Sequence, residues 1–478
     1  MPPELLAVAD AAAIADRFDA GVERALRARR RGRRLVSVTA PLEGEVDPAA
    51  VVFSTRRATD RWLCWEQPHS GGFALAALGS AWDVVSRGED RFRDAARAAA
   101  DLLGEHREAG PDPDLPSPAG PVLVGGFGFW PDAGRSSVWS SFPPALLTLP
   151  ELSLTRAGGS AHLTVNAAIA DAAGAEAARA RVHARLAALA DWRPLPLLDP
   201  HVVGSGSTIE SVRPPQEFER SVERACERMR ATPLRKVVLA REVVVRAPRA
   251  HDPAAVFGAL RDHYRSCYCF CVGTPEAAFV GASPELLVRR RGAGVWTVAL
   301  ASSTRRSADP SVDRHLGEQL LSDPKTRTEH EIVVERIVAK LRRMSVWVQR
   351  AETPEVVKVE NIQHLGTAIH AQLREPASAV ELAGELHPTP AVGGEPWDLA
   401  APAIRELEDL DRGWYAAPVG WMDATDDGEL CVGIRSALLR DRTAHLFVGN
   451  GIVPGSDPRA ELAETEVKLQ ALLPLLAG

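Results

Sequence analysis

The chain has 478 residues, 45% hydrophobic and 25% charged, which is length enough for a large core and, by itself, for several domains. A net charge of −7 without a basic stripe excludes nucleic acid as the main partner. No apolar run reaches the length of a membrane span, and the opening MPPELLAVADAAAIADRF carries Glu4 and Asp10 where a secretory signal would be basic.

Residues 1 to 200 are rich in Ala and Arg, with helical patches at DRFRDAARAAADLLGEH and AEAARARVHARLAALADW. Short strands are read at RLVSVTA, PVLVGGFGFW and AHLTVNAAIA. AGPDPDLPSPAG, residues 109 to 120, reads as a Pro/Gly/Asp loop and internal linker. A second break, WRPLPLLDPHVVGSGSTIESVRPP, leads into a helix expected from about Gln216 to Arg230. Beyond it, strand-like runs such as KVVLAREVVVRA, SCYCFCVGT, AAFVGASPELLVRR, VWTVALA and ELCVGIRSALL mix with helices in no regular βαβ rhythm. MDATDDGELCVGI predicts a tight hairpin, so antiparallel pairing and an α+β class are expected.

Six cysteines are sparse for this length. Cys267, Cys269 and Cys271 alternate along one strand face, a spacing that suits core packing better than metal binding. The reading is a reduced, cytoplasmic, soluble protein. Only five of the 56 basic residues are lysines: Lys236, Lys325, Lys340, Lys358 and Lys468. Lysine gives up its proton when desolvated and arginine does not, so each of the five merits inspection as a base or point charge, although genome composition would also produce such a bias.

Several stretches carry chemistry. Lys236 opens an apolar run in which its pKa could be depressed, although a strand-end lysine ordinarily reaches solvent. Glu285 follows Gly281-Ala282-Ser283-Pro284 at a strand-to-turn junction, where burial would make a carboxyl a general acid; an exposed turn glutamate is the competing reading. In KTRTEHEIVVERI, Glu329 lies at the edge of an apolar helical stripe, and His330 reads as structural. GELHPTPAVGGEP predicts an irregular loop. Tyr415 offers a hydroxyl, and Arg435 a guanidinium suited to a carboxylate. In GNGIVPGSDPRAELAETEVK a strand, 444–449, is expected to run into a glycine turn at Gly449, Gly451 and Gly455. Asp457-Pro458 then opens a helix with Glu461, Glu464 and Lys468 on one face. That combination suggests half of a site for an anion held through a metal, against the ordinary reading of solvated surface pairs.

In this order the stretches KVVLAR, GASPE, SDPKTRTEH, IQHLGT, LHPTPAVGG, RGWYAAPVGW, IRSAL and GIVPGSDPRAELAETEVKL resemble the chorismate-utilising enzymes, which include anthranilate, aminodeoxychorismate, salicylate and isochorismate synthases. The resemblance covers roughly residues 214 to 475. It implies an α+β fold with a large antiparallel β-sheet core flanked by helices, a Mg2+-dependent site and chorismate as substrate. Residues 1–210 would be the N-terminal α/β portion of that fold, and 211–478 the catalytic region.

By position, Glu329 and Glu464 resemble the family's magnesium ligands, with Glu461 contributing through water. Lys236 resembles the base that activates water, and Glu285 the acid that protonates the departing hydroxyl. Tyr415, Arg435 and Lys468 resemble contacts to the enolpyruvyl carboxylate, and Gly449 the backbone closing on it. Ser302, Ser303, His364 and Thr389 lie at substrate-site positions.

Aminodeoxychorismate synthases with a nucleophilic lysine place it in a PIKGT segment; here the matching residues are Ala299 to Ser303. No glutamine amidotransferase segment or partner is expected, and the state expected is a monomer or weak homodimer. The early segment FGFWPDAGRSSVWSSFPPALLTLPELSLTR and the PVGW motif look like isochorismate synthases. A salicylate synthase that also removes pyruvate, and a chorismate-binding paralogue without turnover, stay open as alternatives. The chain departs from the family pattern at Ser302, where Gly is usual, and at Thr326, Ala417 and Asn450. The added hydroxymethyl at Ser302 either narrows the pocket or supplies a hydrogen bond.

Overall fold

The computed structural model describes residues 8–27, 32–108, 115–198, 206–360 and 362–477. Of the loop read at 109–120, residues 109–114 lie outside the described residues, as do 199–205 of the second break. Every strand pairing among the described residues is antiparallel, as the hairpin signals predict.

Two sheets result, one of 12 strands and one of 10. The larger starts at Arg34–Leu42 and ends beyond Thr443–Ile452 and Lys236–Arg246. The smaller runs from Ser345–Arg350 through Ile362–Leu373, Gly294–Arg305 and Pro418–Asp423 to Trp82–Val85. Trp62–Gln67 pairs with Tyr268–Gly273 in the first sheet, and Val122–Phe127 with Pro418–Asp423 in the second. Both sheets therefore join strands from before residue 210 to strands from after it.

The two-residue period of a strand sorts side chains into two cores. Leu63, Trp65, Phe270 and Val272 of the larger sheet join Val124, Leu287 and Trp421 of the smaller one in a single cluster. Their neighbours Cys64, Cys269 and Cys271 face the other way, into a cluster roofed by the helices Val8–Arg27, Pro48–Thr55, Ala172–Ala188 and Pro253–His263. The alternating cysteines are thus core residues, and burial pushes the Cys267 and Cys271 thiols up to about 12. The fold is α+β, with helices packed outside an antiparallel sheet core.

The helix expected from about Gln216 to Arg230 spans Pro215–Ala231. Two helices that border the functional cleft, Pro324–Met344 and Pro458–Leu469, begin alike. Asp323 accepts from Thr326 N and Asp457 from Ala460 N, each at 2.8 Å, and the following Pro leaves no N–H unpaired. The C-terminal strand is longer than expected. It runs from Thr443 to Ile452, so Gly449 and Gly451 lie within it, and of the three glycines only Gly455, at φ 88°, belongs to the turn. The continuous ladder with Lys236–Arg246, which pairs Gly449 with Ala240 and Gly451 with Val238, holds the glycines extended.

Candidate active site

Where the start of strand Lys236–Arg246 meets the end of Thr443–Ile452, the helices Pro324–Met344 and Pro458–Leu469 close over a cleft of about 270 Å³. All the site residues read from the sequence line it except Thr389. Thr389 is buried, and its carbonyl closes a turn onto Val392 N and Gly393 N. Two residues within that turn, Ala391 and Val392, reach the wall in its place.

At one end Lys236, 1% exposed, places Nζ 2.9 Å from Glu329 Oε1. Room for this pair comes from Gly451. A methyl group there would overlap Glu329 Oε1 and lie 2.7 Å from Lys236 Cε. The other oxygen, Glu329 Oε2, accepts from Ser302 Oγ at 2.6 Å, and Ser303 Oγ donates to Glu464 Oε1 at 2.6 Å. Lys468 reaches Glu464 Oε1 at 2.8 Å, Gly449 O at 3.1 Å and Asn450 Oδ1 at 2.6 Å. Asn450 in turn donates to Glu461 O at 2.7 Å and Oε2 at 3.1 Å, and Lys325 lies 3.4 Å from Glu461 Oε1. Three of the five lysines thus line the cleft.

Charge is unevenly settled among the carboxylates. Burial raises the Glu461 pKa, and the nearby Glu464 and Glu329 charges add to that. Burial also pushes Glu464 upward, but Lys468 and the Ser303 hydroxyl outweigh it and hold the group below its usual range. Among the described residues no three His, Cys, Asp or Glu side chains gather closely enough to enclose a metal ion. Glu329 and Glu464, on separate helices, are the oxygen donors available to a cation that takes its remaining ligands from elsewhere.

At the other end Glu285, 4% exposed, has its pKa raised to about 8 by burial, against the lowering pull of Lys236 and Arg435. Burial lowers His364 to about 3, so its ring is neutral at physiological pH. His364 Nδ1–H donates to Ser302 O at 3.0 Å, which leaves Nε2 to accept from Arg435 Nη2 at 3.4 Å. No carboxylate lies within ion-pairing distance of Arg435 among the described residues. Tyr415 stacks on Phe447, with centroids 5.6 Å apart, and burial pushes its hydroxyl up to about 12, so it stays a donor.

His330 is structural, as read: it is buried, its Nε2 meets Thr367 Oγ1 at 2.7 Å, and desolvation lowers it to about 4. Gly451 was read only as turn punctuation, and the role of Asn450 as the link between Lys468 and Glu461 carried no local signal.

A buried amine, a carboxyl that keeps its proton near neutrality and a guanidinium without a carboxylate partner among the described residues, all in one cleft, define an acid–base enzyme for an anionic substrate. The family profile described as chorismate binding enzyme matches residues 21–477, and the chain belongs to that family. It is 37% identical over 364 residues to isochorismate synthase MenF of Bacillus subtilis, covering 76% of each chain. It is 34% identical over 451 residues to the salicylate biosynthesis isochorismate synthase of Pseudomonas aeruginosa, covering 93% of this chain and 91% of that one. The structure of MenF, the menaquinone-specific isochorismate synthase of Escherichia coli, superposes with a TM-score of 0.79 at 28% identity, over 96% of this chain and 99% of that one.

Proposed function

We propose that this protein is a magnesium-dependent isochorismate synthase: it adds water at carbon 2 of chorismate, expels the carbon 4 hydroxyl and shifts the ring double bonds. The observation that carries the reading is the pairing of Lys236 with Glu285 in one cleft, an amine and a carboxyl protonated up to about pH 8. Water attack needs a proton acceptor, and hydroxyl departure needs a donor. Lys236 takes the proton from water, and Glu285 gives one to the leaving hydroxyl. Lys236 Nζ is paired with Glu329 Oε1, so the reading requires Glu329 to turn part of its charge to another partner.

A divalent ion fits that requirement. The donors are hard oxygens, Glu461 is crowded by like charge, and Glu329 with Glu464 leaves positions for a substrate carboxylate and water. When bound, such an ion would neutralise carboxylate charge and fix the substrate's orientation. Arg435, aligned by His364 and without a carboxylate of its own, binds a chorismate carboxylate, with Tyr415 and Lys468 beside it. The three isochorismate synthase relatives support the same substrate and product.

The test is incubation with chorismate and magnesium, followed by chromatography. A chorismate–isochorismate mixture approached from either side, without pyruvate, is the expected result. Stoichiometric pyruvate and salicylate would identify a lyase instead, and absence of any product would leave a binding protein.

A further inference from the structure

Ser302 has φ 57°, a left-handed backbone that glycine adopts freely and serine adopts under strain. It sits at a register shift between Ala301 and Ser303 in the pairing of Gly294–Arg305 with Ile362–Leu373. In a regular strand, consecutive side chains leave on opposite faces. Here the bulge brings two consecutive hydroxyls onto the same group of carboxylates, Ser302 on Glu329 and Ser303 on Glu464, each at 2.6 Å. Those carboxylates come from two different helices, so adjacent residues of one strand fix their separation. The Ser302 carbonyl accepts from His364 Nδ1 and so ties the same residue to the Arg435 end. Glycine would meet the backbone requirement with less strain but would give Glu329 Oε2 no donor.

We infer that Ser302 is a positioning residue for a divalent cation: with Ser303 it holds Glu329 and Glu464 at the spacing the ion needs, and the strained backbone is retained for that hydroxyl. The inference rests on the reading of Glu329 and Glu464 as cation ligands. Groups that orient metal ligands typically change metal affinity by about ten- to a hundredfold when removed.

The experiment is calorimetric titration of the full chain with magnesium chloride, without chorismate, alongside melting temperatures in chelator. Ser302→Gly should bind magnesium about tenfold more weakly than wild type yet melt at the same temperature or higher, because strain is relieved. Ser302→Ala should show the same loss of affinity without the gain in melting temperature. A Ser302→Gly protein with wild-type magnesium affinity would overturn the inference. Parallel falls in affinity and melting temperature in Ser302→Gly would overturn it too, by showing a merely structural residue. Failure of the wild-type protein to bind magnesium would overturn this inference and the cation reading together. The predicted affinity losses in a protein that does not convert chorismate would support this inference while removing the proposed activity.

Discussion

Arg412 bonds the carbonyls of two cleft-lining residues, Val238 and Val392, whereas Arg435 lines the cleft itself, and the two differ in what surrounds them. Arg412 is fully buried, and each of its three nitrogens is bonded. Its Nε and Nη2 grip both oxygens of Glu408, Nη1 donates to Val392 O at 2.8 Å, and Nη2 donates to Val238 O at 2.9 Å. Glu408 also accepts from Ala240 N at 2.7 Å, so the pair covers the strand edge between two stretches where neighbouring strands bond it. Arg435 borders the cleft, is held in a left-handed backbone at φ 51°, and among the described residues its side chain bonds a neutral imidazole. Burial lowers its pKa, and the opposing pull of Tyr415 and of the more distant Glu464 does not make up for it. A buried cation with every nitrogen bonded is architecture, whereas a desolvated cation without an ion-pair partner holds a place for an anion.

The contrast breaks most visibly at Glu408. Glu408→Ala would strand the Arg412 charge, and a loss of about 3–5 kcal/mol in denaturant-derived stability is expected. A loss below about 1 kcal/mol would mean that the pair is not architectural. On the cleft side the effects should fall on rate. Glu285→Gln should lower kcat roughly a hundredfold or more while chorismate still binds, measured by steady-state kinetics and a binding titration. Lys236→Arg keeps the charge but not the ability to shed a proton, so it should be about as damaging; activity within a few-fold of wild type would reduce Lys236 to a fixed charge.

Arg435→Gln sharpens the comparison directly. Loss of a charged hydrogen bond to a carboxylate, about 1.5–3 kcal/mol, should raise KM for chorismate roughly ten- to a hundredfold and leave unfolding stability within about 0.5 kcal/mol. The mildest effect is on pH. The useful form of Glu285 is protonated and its pKa is raised to about 8, so kcat should fall as pH rises through about 8. A flat profile to pH 9 would separate Glu285 from the proton transfer.

Much of the fold was legible because alternation survives wherever a strand divides two cores: SCYCFCV sends Phe270 and Val272 one way and Cys269 and Cys271 the other. The Asp-Pro helix starts were legible because a cap is a local matter. The end of the last strand was misjudged because glycine usually punctuates, whereas Gly451 is extended to make room for Lys236 and Glu329. The site itself could not be assembled from spacing, since Lys236 and Glu464 are brought together by a sheet and two helices. The order of motifs, through family resemblance, supplied what periodicity could not. Thr389 shows the limit of that route: its loop borders the cleft, but its neighbours line it.

The pairing of Trp62–Gln67 with Tyr268–Gly273, and of Val122–Phe127 with Pro418–Asp423, also bears on what can be cut away. A fragment beginning near residue 211 would carry every residue of the cleft, yet it would expose two six-residue strands, each with a row of unanswered N–H and C=O groups. Such open strand edges recruit further chains, so the fragment should aggregate. None of the described residues before 211 lines the cleft, but their strands cover the two sheet edges that would otherwise be open to other chains.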